Sequence, residues 1–143
     1  MTWKQLLANR QVRRHRTSKT EVDDLRKVVA RDLHDASLPD LSADRRFATA
    51  YNAVLQLSKM ATACAGYRVS VGAGHHQVTF HAARLALGPD SERSLQYFDV
   101  CRRKRNAIDY DAAECATETE AAELLERAGE FRKIGRASCR ERV

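Results

Sequence analysis

A chain of 143 residues is long enough for one domain with a single core and too short for two comfortable ones. Only two prolines and six glycines, set among abundant Ala, Leu, Arg and Glu, favour helix and predict an all-α fold, a four- to five-helix up-and-down bundle. The formal net charge is +6, no stretch approaches the roughly 20 apolar residues of a membrane span, and no apolar core follows the first charges as in a secretion signal, so a cytoplasmic protein without membrane contact is expected.

Residues 1–19 form a basic N-terminal arm holding Lys4, Arg10, Arg13, Arg14, Arg16 and Lys19 with no acid. Such an arm either steers a polyanion such as RNA or is a solvated, flexible leader. A helical body is expected over 20–133. Its first helix is predicted from Thr20 to Ala36, capped by Ser18 or Thr20, with Val22, Leu25, Val29 and Leu33 on one face. Pro39 breaks the pattern, and Ser42 can cap a longer helix from Ala43 to Ala65. Phe47, Tyr51, Val54, Leu55 and Ser58 form one stripe on it, and Ala50, Ala53, Leu57, Met60 and Cys64 a second. A helix so apolar around its girth belongs at the centre, or is shared between a core and a dimer surface.

Gly66 to Gly74 is predicted to be a loop, followed by a short helix from His76 to Leu87 that Gly88-Pro89 stops. Ser91 opens the next helix, on which Leu95, Phe98, Cys101, Arg105 and Ile108 share one face. Thr117 and Glu120 make a capping box for a last helix, with Ala121, Leu124, Leu125, Ala128 and Phe131 facing inward. Cys64, Cys101, Cys115 and Cys139 show no CxxC pairing and no His partner at zinc-finger spacing, so free or buried thiols are expected rather than a disulfide or zinc framework.

Residues 134–143, Ile-Gly-Arg-Ala-Ser-Cys-Arg-Glu-Arg-Val, resemble the in-frame translation of a sequencing adapter and are read as an artefact that replaces whatever the gene encodes beyond Lys133. Without Arg136, Arg140, Arg142 and Glu141 the balance is 22 basic to 18 acidic residues, a net charge of +4.

One residue stands out. A guanidinium on an apolar stripe cannot be buried alone, so Arg105 must find a carboxylate, lie at the mouth of a cleft, or face another subunit. Asp109, one turn later, is the carboxylate at hand, and an Arg105–Asp109 pair that merely fixes packing is one reading. Arg102, Asn106 and Tyr110 succeed one another at i+4. Cation, amide and phenol so grouped suit phosphate and base recognition, because arginine offers a planar fork, asparagine a donor and an acceptor, and tyrosine a stacking face. His75, His76 and His81 could bring an imidazole to this cleft or hold a metal. Their spacing places no two on one helical face, so a packing or helix-entry role is expected, and no metal or cofactor.

The segments 46–57 (Arg-Phe-Ala-Thr-Ala-Tyr-Asn-Ala-Val-Leu-Gln-Leu), 66–69 (Gly-Tyr-Arg-Val), 74–76 (Gly-His-His) and 97–110 (Tyr-Phe-Asp-Val-Cys-Arg-Arg-Lys-Arg-Asn-Ala-Ile-Asp-Tyr) together resemble the HEPN domains. The resemblance implies a HEPN-like bundle over 20–133, a homodimer whose motifs face a shared cleft, and either a metal-independent ribonuclease or a partner in toxin–antitoxin and defence systems. It carries Arg105 and Asn106 over as motif residues, with Tyr110 standing where the family's motif has a histidine. Arg102, Arg103, Lys104, Arg105 and Asp109 are then the nucleic-acid-binding set, and Arg105, Asn106 and Tyr110 the candidate catalytic one. Tyrosine, with a reference pKa near 10, is a poor base at neutral pH, which favours binding of RNA or a nucleotide over cleavage. Two alternatives stand beside it. One is an endoribonuclease toxin in which Arg105 holds the scissile phosphate, Asn106 orients it, and Tyr110 or a loop histidine moves the proton. The other is a non-enzymatic partner of a nucleotidyltransferase or antitoxin, with Tyr110 as the modified residue.

Overall fold

The computed structural model describes residues 1–72 and 74–140. Ala73, within the expected loop, and residues 141–143 of the carboxyl-terminal stretch lie outside them. The described residues form an all-α bundle of six helices with a small two-stranded ribbon: α1 (Trp3–Ala8), β1 (Val12–Arg14), α2 (Lys19–Ala36), α3 (Ala43–Cys64), β2 (Tyr67–Val69), α4 (His75–Leu87), α5 (Glu92–Asn106) and α6 (Glu118–Arg140). No helix among the described residues is long and apolar enough to cross a membrane.

Local signals set the helix starts. The Ser18 hydroxyl accepts the Glu21 N–H at 3.1 Å and opens α2, and the Ser42 hydroxyl accepts the Arg45 N–H at 3.1 Å and opens α3. At the start of α6, Thr117 Oγ1 accepts the Glu120 N–H and the Glu120 carboxylate accepts the Thr117 N–H, both at 3.0 Å, closing the expected capping box. Ser91 behaves differently. Its hydroxyl donates to the Gly88 carbonyl at 2.7 Å inside a short 3₁₀ turn, Pro89–Ser91, and makes no side-chain cap for α5.

α3 is the central helix, packed on α2, α4, α5 and α6. Both of its expected stripes are buried, including Phe47, Tyr51, Val54, Leu57 and Met60, because neighbours cover it on several sides. The rings of Tyr51 (α3), Phe80 (α4), Phe98 (α5) and Phe131 (α6) run in series through the core at centroid separations of 6.0, 6.4 and 5.1 Å. Leu95, Phe98 and Cys101 of the α5 stripe are buried as well. This aromatic series ties four helices together and ends at a phenol, which matters for the site below.

The arm is not a flexible leader. Its residues form α1 and β1, and β1 pairs antiparallel with β2 in the register Val12↔Val69, Arg13↔Arg68 and Arg14↔Tyr67. Leu6 and Val12 are buried, and Trp3 stacks on Tyr67 at 4.0 Å with planes 7° apart. The burial of these few apolar side chains, together with a partner strand in the expected Gly66–Gly74 loop, orders a segment whose charges suggested solvation.

A second correction concerns sulfur. Cys64 and Cys139 form a disulfide, with Cα atoms 5.6 Å apart, while Cys101 and Cys115 are free. Spacing rules see only cysteines close in sequence, whereas these two lie 75 residues apart and meet because α6 packs along α3. Residues 134–140 of the stretch read as adapter continue α6, and Cys139 belongs to that stretch.

Candidate functional site

Arg105 sits at the end of α5, with its side chain one-quarter exposed. Its Nε lies 3.0 Å from Asp109 Oδ2, and Nη1 donates to Asn106 Oδ1 at 3.4 Å. Its guanidinium carbon is 5.7 Å from the centroid of the Tyr51 ring, within reach of a cation–π attraction. The cation is thus held by a carboxylate on one side and an aromatic ring on another. The three basic residues Arg103, Lys104 and Arg105 close α5, where the negative end of the helix dipole favours them.

Tyr51 carries the arrangement inward. Its hydroxyl lies 3.0 Å from Nδ1 of His76 at the start of α4. Burial is the largest influence on both groups. It raises the phenol well above the ordinary tyrosine range despite the opposing pull of Arg105 and Arg102, and it lowers His76 to about 4, assisted by the positive fields of His75, Arg105, Lys59 and Arg102. Both partners are therefore neutral at pH 7. A neutral imidazole, a neutral phenol and a guanidinium meet here from three helices.

The remaining candidates do not all join them. Arg102 pairs with Asp99, Nε to Oδ1 at 3.2 Å. Arg103 is exposed. Lys104 is tied to Glu120 at the start of α6 and donates to the Cys115 carbonyl at 3.3 Å, so its charge is engaged with the bundle. Asn106 touches Arg105 as described. Tyr110 is 77% exposed, and no hydrogen bond or ring contact joins it to Arg105. It lies beside a shallow pocket with Asp44, Arg45, Asp109 and Asp111.

The separation of Tyr110 has a backbone cause. After Asn106 the helix widens into a π-turn, Ala107–Asp111, in which the Ala112 N–H reaches the Ala107 carbonyl at 2.9 Å, five residues back. The extra residue in this turn carries Tyr110 out of the i+4 row begun by Arg102 and Asn106. The following loop is pinned by Asp44, whose carboxylate accepts the N–H groups of Glu114 and Ala116 at 2.6 and 2.8 Å.

Sequence reasoning placed Tyr51 in the core and His76 in a packing role, and did not connect them. Gly-His-His was the one available signal, and it carries no information about which helix the ring will meet. Cys101, on the same stripe as Arg105, is pushed up to about 11, first by burial, and so remains a thiol rather than a nucleophile. Comparison of the chain with protein-family models, with curated proteins and with solved structures finds no match.

Proposed function

We propose that this chain is a HEPN-type helical domain that binds RNA or a nucleotide in a cleft formed around Arg105 by two copies of the chain, in the setting of a toxin–antitoxin or defence system. The observation that carries the reading is the position of Arg105. Its guanidinium is half-sheltered at the end of a basic helix, over an aromatic ring, where an anion would be bound in a partly desolvated environment. Asn106 beside it, whose Oδ1 accepts from Arg105, supplies its amide N–H groups as donors for a base or sugar. Val100, 70% exposed on the same helix, and Tyr110, 77% exposed just beyond it, give the outer surface large apolar side chains that a second copy would cover. Arg102 and Arg103 extend the positive field along α5.

The test is fluorescence anisotropy of the purified chain with labelled single-stranded RNA in the presence of chelator. Binding is expected to weaken on raising salt, and Arg105→Ala is expected to weaken it further and flatten the salt dependence by about one charge. RNA that fails to bind at high protein concentration, or that binds Arg105→Ala equally well, would remove the proposal.

A second reading, metal-independent RNA cleavage, is favoured by His76. With the ring protonated at Nδ1 and bonded to Tyr51, Nε2 keeps a lone pair for the proton of an attacking 2′-hydroxyl while Arg105 stabilises the charge on phosphate. The burial that lowers His76 to about 4 nevertheless makes it a weak base. Cleavage in chelator that is lost in both His76→Gln and Arg105→Ala would establish this reading in place of binding alone. Intact RNA with the unaltered chain would dismiss it.

A further inference from the structure

A cleft of about 620 Å³ opens between the β-ribbon, α2, α3 and the start of α4, and Arg105 is not among its lining residues. Its size falls in the range of small-molecule sites, roughly 300–1,000 Å³. Three cations line it, Arg13, Lys59 and Arg68, against one carboxylate, Glu21. That carboxylate is already occupied, since it lies 2.8 Å from His15 Nε2, accepts from Thr17 at 2.8 Å and accepts from Arg68 at 3.2 Å. Two positive charges remain in excess.

Their placement is unfavourable without a ligand. Arg13 and Arg68 stand directly opposite one another across the ribbon, and like charges at such positions destabilise a strand pair. Lys59 has no hydrogen-bond or ion-pair partner among the described residues, and burial and the nearby Arg68 both disfavour its charge. An anion seated among the three would relieve both costs.

The floor has a different character. Leu25, Ala63 and Val69 supply apolar surface. Thr62 and Thr79 lie beside them, but their hydroxyl hydrogens are committed to the carbonyls of Ser58 at 2.9 Å and His75 at 2.7 Å. The side chains of Leu25, Ala63 and Val69 offer no hydrogen bond, so this part of the lining suits a hydrocarbon body.

We infer that this cleft binds a small phosphate monoester, its dianion held by Lys59, Arg68 and Arg13 and its apolar body laid against Leu25, Ala63 and Val69. A monoester carries between about −1.5 and −2 at neutral pH, matching the excess charge, and the arginine fork and lysine ammonium are complementary to its oxygens. The site stands apart from the Arg105 centre and does not depend on the function proposed for it.

Phenyl phosphate is a suitable probe, compared with inorganic phosphate for the dianion alone and phenol for the body alone. Titration calorimetry measures affinity. The chain's single tryptophan, Trp3, stacks on the cleft residue Tyr67 and gives a fluorescence signal. Phenyl phosphate is expected to saturate one site and to bind at least about tenfold more tightly than either fragment. Lys59→Gln, which keeps a long polar side chain in place of the charge, is expected to weaken it about tenfold or more with an unchanged circular dichroism spectrum, and Arg105→Ala is expected to leave it within about twofold. No saturable binding at millimolar concentration, equal affinity for inorganic phosphate, full affinity in Lys59→Gln, or loss in Arg105→Ala would each overturn the inference.

Discussion

The Tyr51 hydroxyl on α3 lies 3.0 Å from Nδ1 of His76 on α4, and this bond joins the buried aromatic series to the rim where Arg105 stands. It has a consequence for acid stability. His76 titrates near 4 in the folded chain but near 6.5 when unfolded, so the unfolded chain takes up a proton that the folded one refuses over that interval. As pH falls from about 6.5 to about 4, unfolding is favoured, and below 4 the penalty no longer grows. The thermal midpoint of the unaltered chain should therefore drop more steeply between pH 7 and 4 than that of His76→Gln. Parallel curves would show that His76 is not desolvated as described.

Asp109 holds the Arg105 guanidinium at 3.0 Å and competes with any anion that would bind there. Asp109→Asn should raise RNA affinity by roughly threefold to tenfold at low salt. It should change stability by no more than about 1 kcal/mol, because a partly exposed i,i+4 pair at a helix end contributes little. Anisotropy and urea unfolding measure the two effects, and an unchanged affinity would place Arg105 outside the anion's path.

Phe98 is fully buried between Phe80 and Phe131. Phe98→Ala should cost about 3–5 kcal/mol in denaturant unfolding, through lost transfer energy and the cavity left behind. Val100→Ala, two residues away but 70% exposed, should stay within about 0.5 kcal/mol. Similar values for the two would contradict the assignment of the α5 faces.

The Cys64–Cys139 bridge closes a separation of 75 residues, for which restriction of the unfolded chain gives up to ~4 kcal/mol. Dithiothreitol should lower the thermal midpoint of the full chain by on the order of 10 °C. It should leave a chain ended at Lys133 unaffected, since that chain lacks Cys139. Calorimetry with and without reductant makes the comparison, and an equal response of both chains would refute a stabilising bridge.

Helix class and the order and most starts of the five helices from α2 to α6 were legible in the residues. The short α1 within the basic arm was not, and it makes six helices among the described residues where four or five were expected. Ser18, Ser42 and the Thr117–Glu120 box act over three or four positions, and the 3.6-residue period reports a buried face wherever neighbours cover it. Arg105 was conspicuous for the same reason, as a cation interrupting an apolar row, and Asp109 was its foreseeable partner. The ribbon was not legible, because three-residue strands have no periodic signature and β1 exists only by pairing with β2 fifty-odd residues away. Nor was the meeting of Tyr51 with His76, or of Cys64 with Cys139, since each joins residues that only helix packing brings together. The widened turn after Asn106 separated Tyr110 from Arg105 although their spacing suggested one cluster. Sequence alone determined what depends on hydrogen bonds and faces within a helix; tertiary packing decided which side chains from different helices share a site, because those distances are set by the whole core rather than by any local stretch.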